Sequence, residues 1–202
     1  MGYVIVIFAA YLLGCSNMAV YLAKWKKVDL KNGSGNPGTS NATILMGWSA
    51  GVIVGIHDIG KAVLAVILAE LIFPDLEFIG AAAGVACVLG HIFPFYMGFR
   101  GGKGFASYLG MTLALNWKFA LIILAVVVIV TLVTDYIVVG TVTTVVTVPV
   151  VMGILTQSAV LAVILCVATA VILYKHRENF ARMRNGTEIG LRSAAKGKHR
   201  AK

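Results

Sequence analysis

Gly90-His91-Ile92-Phe93-Pro94-Phe95-Tyr96-Met97-Gly98-Phe99-Arg100-Gly101-Gly102-Lys103-Gly104 is a polar, glycine-rich stretch set between apolar runs. The run Ile79 to Phe93 enters it and Pro94 ends that run, because proline cannot continue a helix; Phe105 to Leu115 leaves it. Glycines allow close backbone approach and positive φ, so successive N–H groups can converge on one anion. Lys103 and Arg100 add fixed charge, and a helix starting near Phe105 would direct its positive end to the same place. Two readings stay open at this point. One is a phosphate cradle at a membrane edge, the other an interfacial loop with snorkelling cations.

Composition decides the surroundings of that stretch. Of 202 residues, 59% are hydrophobic and 12% charged, with a mean hydropathy of +0.92. Soluble domains carry about 25% charged residues, so the chain is an integral membrane protein. Its net charge is +9. Nine Lys/Arg follow Tyr174 against Glu178 and Glu188, which places most of the surplus at one end and reads as a cytoplasmic tail near anionic lipid. Aromatic residues are scarce there, so nucleic acid is not expected as a partner. Cys15, Cys87 and Cys166 stand singly in apolar runs, without metal or redox spacing, and read as buried small hydrophobes.

In chain order, Tyr3 to Ala23 is an apolar run of spanning length, followed rather than preceded by Lys24, Lys26 and Lys27. It reads as a retained first helix with its C-terminal end in the cytoplasm. The first polar loop, Lys24 to Asn41, is rich in glycine, proline and small polar residues, which disfavours regular helix. Ser34, Asn36, Ser40 and Asn41 offer donors within one turn, and Ser40 or Asn41 is placed to cap the following helix. The next helix runs from about Leu45 to Phe73 and contains His57, Asp58 and Lys61. Asp58 and Lys61 share a face, as a structural ion pair or a proton relay, with His57 expected at the interface. Phe73 to Glu77 makes an acidic outer turn. Breaks at Asn116 and Asp135 favour seven crossings over five, giving an all-α polytopic bundle with both glycine loops and the tail on one side.

A third polar stretch, Lys175 to Glu188, follows the last apolar run. His176 and Asn179 share a helix face, while Phe180 and Met183 share another suited to the membrane surface. Residues 1–192 read as one transmembrane domain, and 193–202 as a basic tail expected to be disordered.

Three motifs carry a resemblance. They are Gly33-Ser34-Gly35-Asn36-Pro37-Gly38-Thr39-Ser40-Asn41, the stretch from Gly90 to Gly104, and His176-Arg177-Glu178-Asn179 through Arg182 and Gly186-Thr187-Glu188. In this order they resemble those of the bacterial acyl-phosphate-dependent glycerol-3-phosphate acyltransferases, the PlsY family, and Asp58 and Lys61 resemble polar positions of that family's second helix. The resemblance implies a seven-helix inner-membrane enzyme with its active site on the cytoplasmic face and its N-terminus outside. It implies transfer of a fatty acyl group from acyl phosphate to the 1-hydroxyl of sn-glycerol 3-phosphate, giving lysophosphatidic acid and phosphate. Carried over, Ser34, Lys103, His176 and Asn179 would hold substrate phosphate. Asn36, Ser40, Asn41, Arg100, Gly101, Gly102, Gly104 and Arg177 complete the expected binding set.

His176 and Lys103 are the expected catalytic residues. His176 would deprotonate or orient the acceptor hydroxyl, with a substrate phosphate oxygen as the rival base, and Lys103 with the glycine N–H groups would stabilise the leaving phosphate. No cofactor, metal or obligate protein partner is called for; the expected partners are the two substrates and membrane lipids. The His-x4-Asp pattern of other glycerolipid acyltransferases is absent, since His91 and His57 lead to Tyr96 and Ala62. One position departs from the family: Ile44 stands where an arginine is usual after the first motif. Either Arg100, Arg177 or Arg182 compensates, or the acceptor differs, or catalysis is weak. A small transporter of phosphorylated solutes and a catalytically weak relative serving as a binding or regulatory protein are the other classes compatible with these features.

Overall fold

The first apolar run does not fold as one rod. In the computed structural model, which describes residues 1–192, it forms α1 (Gly2–Cys15) and α2 (Met18–Lys26), broken at Ser16 and Asn17. The Asn17 side chain accepts the Val20 N–H at 3.1 Å and so starts the second helix. Together the two helices make a 25-residue span. The expected tail, 193–202, lies outside the described residues.

The described residues divide into two compact units, one ending at Trp117 and one beginning at Lys118. In the first, a 3₁₀ turn at Leu30–Asn32 leads through the first polar loop into α3 (Thr39–Met46). Gly47, at φ 90°, separates α3 from α4 (Trp48–Ile72), so the helix expected from Leu45 is two helices. No side chain caps α3: its N-cap is Gly38, and Ser40 and Asn41 lie inside the first turn, against the expected capping role. Then come α5 (Ile79–Ile92), a 3₁₀ turn at Phe95–Met97, and α6 (Phe105–Leu115).

Small residues let these helices touch. Val6, Ala10, Ala62, Ala65, Ala69, Ala83, Ala86 and Cys87 form a core cluster from α1, α4 and α5. A side chain at Gly14 would run into the Cys87 backbone, and one at Gly90 into the Tyr11 carbonyl, so α1 and α5 pack backbone to backbone. The Tyr3 hydroxyl donates to the Glu77 carbonyl at one end, and the Tyr11 hydroxyl to the Phe93 carbonyl near the other. α1 and α5 therefore run parallel, with α4 antiparallel. The N-terminus shares its face with the acidic turn, opposite the two glycine-rich loops.

The second unit contains α7 (Trp117–Thr134), α8 (Ile137–Leu155), α9 (Ala159–Lys175) and α10 (Arg177–Arg184). Threonine hydroxyls in α8 satisfy themselves on carbonyls one turn back: Thr141 on Ile137, Thr143 on Val139 and Thr144 on Gly140. Thr169 of α9 donates across to the Val145 carbonyl at 2.7 Å, joining α9 to α8. Ser158 caps α9. After α10, Leu191 N–H reaches the Asp135 carbonyl and Arg192 N–H its carboxylate, both at 2.8 Å, so that segment returns to the α7–α8 turn.

All seven apolar runs are helical. Among the described residues five spans are long and apolar enough to cross a bilayer, and α9 with α10, bent by 43°, makes a sixth when the pair is counted as one span. α6 has 11 residues and is too short to cross alone, reaching about 16 Å. Cys15 and Cys87 are buried, but Cys166 is exposed, contrary to expectation. In a membrane an apolar helix can present its surface to lipid, so an apolar run does not imply burial.

Candidate active site

In the first unit the first polar loop is braced by Asn41. This side chain is fully buried; its oxygen accepts the Ser34 N–H at 2.8 Å, and its nitrogen donates to the Leu30 carbonyl at 2.9 Å. Asn41 thus shapes the loop, while Ser34 and Ser40 are exposed and Asn36 half-buried. The Asn36 N–H approaches the Ser34 hydroxyl at 3.5 Å. Asn17, from the break in the first span, donates to the Pro37 carbonyl at 3.1 Å.

The second loop differs from the expected cradle in which N–H groups it offers. Gly101 N–H donates to the Ile92 carbonyl at 3.0 Å and Gly102 N–H to the His91 carbonyl at 3.1 Å. Those two donors fold the loop back onto the end of α5 instead of facing a ligand. The N–H groups of Gly104, Phe105 and Ala106, opening α6, have no acceptor among the described residues, as is usual for a first helical turn. The backbone donors left open by this loop therefore sit just past Lys103. Lys103 itself is half-buried. Ser107, in the same first turn, is fully buried and its hydroxyl has no hydrogen-bond partner among the described residues. Sequence reasoning missed Ser107; the signal was a small hydroxyl one turn after a Gly-Lys-Gly.

Beneath this loop lies a buried polar network. Asp58 Oδ1 is 2.9 Å from Lys61 Nζ, 3.3 Å from His91 Nδ1 and 3.4 Å from His57 Nδ1. Lys61 Nζ also donates to the Ser16 carbonyl at 2.7 Å and lies 2.9 Å from His91 Nδ1. His57 Nε2 meets the Ser16 hydroxyl at 2.9 Å. Asp58 and Lys61 are only 2% and 5% exposed, and they form the expected ion pair. His57 belongs to the network and not simply to the interface. A side chain at Gly102 would strike the His91 imidazole. The ring is thus the floor on which the loop rests, and Gly102 is the residue that lets it do so.

In the second unit His176 sits at the α9–α10 bend, 5% exposed, with Nδ1 2.8 Å from the Ile172 carbonyl. A carbonyl only accepts, so Nδ1 carries the hydrogen, and in the neutral ring Nε2 carries the lone pair. Asn179, one turn on and also buried, donates to Glu188 Oε1 at 2.6 Å, and Arg182 Nε donates to Glu188 Oε2 at 2.6 Å. Glu188, which sequence reasoning did not select as a site residue, therefore orients Asn179. Arg177 donates to the Tyr174 carbonyl at 3.1 Å and lies 4.1 Å over the Tyr174 ring. Of the three arginines weighed against Ile44, two are thus already engaged. Arg100 is exposed; its N–H donates to the Met97 carbonyl at 3.3 Å, while its guanidinium makes no hydrogen bond or ion pair among the described residues. Ile44 itself lies on α3, partly exposed.

Residues 4–186 match the profile of the glycerol-3-phosphate acyltransferase family. The chain belongs to that family. It is 35% identical over 93% of its length to the glycerol-3-phosphate acyltransferase of Lactiplantibacillus plantarum, covering 91% of that protein. It is 38% identical, again over 93%, to the enzyme of Clostridioides difficile, with 94% of that protein covered. Among solved structures it resembles PlsY (YgiH), an integral membrane glycerol 3-phosphate acyltransferase, in the glycerol 3-phosphate form. The TM-score there is 0.88 at 32% identity, covering 95% of this chain and 96% of that one. The lysophosphatidic acid form of PlsY matches with TM-score 0.87 at 30% identity, covering 96% and 97% of the two chains. Among the described residues no group of three or more His, Cys, Asp or Glu side chains is arranged so that it could hold a metal ion.

Proposed function

We propose that this chain transfers a fatty acyl group from acyl phosphate to the 1-hydroxyl of sn-glycerol 3-phosphate in phospholipid biosynthesis, as one catalytic domain over residues 1–192. The observation that carries this reading is the extent of the family match, which covers the first two polar stretches and the third as far as Gly186. In the reaction the acceptor hydroxyl oxygen forms a bond to the acyl carbon, and the bond from that carbon to the phosphate oxygen breaks. The hydroxyl proton passes to His176 Nε2 or to a substrate phosphate oxygen, and inorganic phosphate leaves. Because acyl phosphate is a mixed anhydride with a good leaving group, positioning and charge stabilisation suffice for much of the rate.

Lys103 and the N–H groups of Gly104 to Ala106 are suited to the leaving phosphate. Ser34, Asn179 and His176 are suited to the substrates, with the proposed active site on the cytoplasmic face and the N-terminus outside. Hydrogen bonding of His176 Nδ1 to the Ile172 carbonyl supports its role, since it holds Nε2 in the tautomer that can accept a proton.

The test is purified protein with acyl phosphate and labelled glycerol 3-phosphate, scored for lysophosphatidic acid, beside parallel reactions with acyl-CoA and acyl carrier protein. Product from acyl phosphate alone is expected. Lys103→Met should remove turnover to background. His176→Gln should lower kcat by about 10²–10⁴-fold, and an unchanged pH profile in that variant would assign the base to the substrate.

A further inference from the structure

Beside the catalytic loops the first unit holds an open cleft of about 470 Å³. Lys24 and Lys27 line it from the end of α2, Lys31 from the 3₁₀ turn and Arg100 from the second loop; Asp29 is the lone carboxylate on its wall. All four cations are exposed, and none forms an ion pair among the described residues. Asp29 accepts the Lys31 N–H at 2.9 Å, so its charge is already partly engaged. Gly35 and Pro37 of the first polar loop complete the wall on that side, and Lys103 is not among the lining residues. We propose that this cleft is a second anion site, which binds a phosphate monoester separately from Lys103.

Three features favour that ligand class. Four cations against one carboxylate leave a local surplus that suits a dianion. A cavity of this size holds a small phosphorylated molecule or a lipid head with its first carbons. Its remaining walls include Val20, Val28 and Met97, which offer an apolar side to whatever carries the phosphate. The bias of positive charge toward one membrane face explains lysines near helix ends. It does not explain a concavity that gathers them with an arginine from a distant loop. Lys27 adds a further sign: it closes α2 at φ 53°, a left-handed position where glycine is usual, so a charged side chain is kept at a backbone cost. Trp25, 78% exposed on the same helix end, sets the cleft at headgroup depth.

The phosphate can come from the aqueous side, as in glycerol 3-phosphate, or from a lipid with a phosphate monoester head. Both sources are tested on protein in phosphatidylcholine nanodiscs without any acyl donor, so the outcome does not depend on the transfer reaction. Glycerol 3-phosphate binding is read by calorimetry, and retention of dioleoyl phosphatidate by native mass spectrometry. Each is measured for the wild type and Lys103→Met, with and without the pair Lys27→Gln and Lys31→Gln. We expect the pair to weaken at least one probe by about tenfold in both backgrounds, and Lys27→Arg with Lys31→Arg to retain binding. Selective loss of glycerol 3-phosphate assigns a soluble ligand, selective loss of phosphatidate a lipid, and loss of both a site that reads the phosphate alone. If neither probe changes by more than about twofold, or if retained phosphatidylcholine falls equally, the site is disproved. A protein that fails to make lysophosphatidic acid yet loses phosphate binding in the pair would overturn the proposed reaction and leave this site standing.

Discussion

α5 and α7 are both spanning helices, yet they occupy opposite environments. The span containing α5 has a mean hydropathy of 1.6 and is 72% buried within the protein; α7 has 2.6 and is 28% buried. The more hydrophobic helix is the less buried one. In a bilayer the lipid is as apolar as any core, so hydropathy marks the surface offered to lipid, and close packing falls to small and polar residues. α5 carries Gly84, Gly90, Ala83, Ala86 and His91 inward, whereas α7 presents Leu121, Ile122, Ile129 and Val133 outward.

That contrast breaks most sharply at Asp58. Replacing it with Asn leaves Lys61 charged and buried beside His91 without its carboxylate, a loss of about 3–5 kcal/mol. Thermal unfolding in a fixed lipid or detergent should show a large fall in midpoint, partly recovered when Lys61→Met is added. A fall no larger than that of a surface variant would mean the network is wet and dispensable. Next comes Gly90→Val, which drives a side chain into the Tyr11 carbonyl of α1. It should destabilise by about 1–3 kcal/mol, measured in the same way, despite raising the hydropathy of its helix. Smallest is Ile129→Ala on α7, a loss of three methyl or methylene groups from a lipid-exposed position. It should stay within about 0.5 kcal/mol. An effect as large as that of Gly90→Val would show that a partner covers α7.

Much of this was legible before any coordinates. Each apolar run became a helix because spanning segments must satisfy their own backbone groups, and the polar punctuation between runs fell in turns. The pairing of Asp58 with Lys61 followed from their spacing on one helix. Other features depended on residues far apart in sequence. Ser16 and Asn17 looked like two tolerated polar residues in an apolar run, because nothing local says that Lys61 and Pro37 take part in their hydrogen bonds. His91 stood at the end of its apolar run with no partner in view, because Asp58 reaches it from another helix. Glu188 looked like one more charge in a basic tail, though it holds Asn179 and Arg182 together. The glycine N–H groups misled for a related reason. Gly101 and Gly102 were counted as ligand donors, but carbonyls at the end of α5 had already claimed them.

The break at Ser16 and Asn17 has a mechanical consequence. Its loosened carbonyls, of Cys15 and Ser16, receive the Tyr96 hydroxyl at 2.9 Å and the Lys61 ammonium at 2.7 Å, while Asn17 holds Pro37. A smooth helix could slide along its axis or turn against its neighbours with only a gradual change in packing. This one cannot shift by a single residue without breaking bonds to α4, to the Phe95–Met97 turn and to the first polar loop at once. The interruption works as a depth gauge, fixing how far the first polar loop and the Phe95–Met97 turn stand from the hydrocarbon of the bilayer.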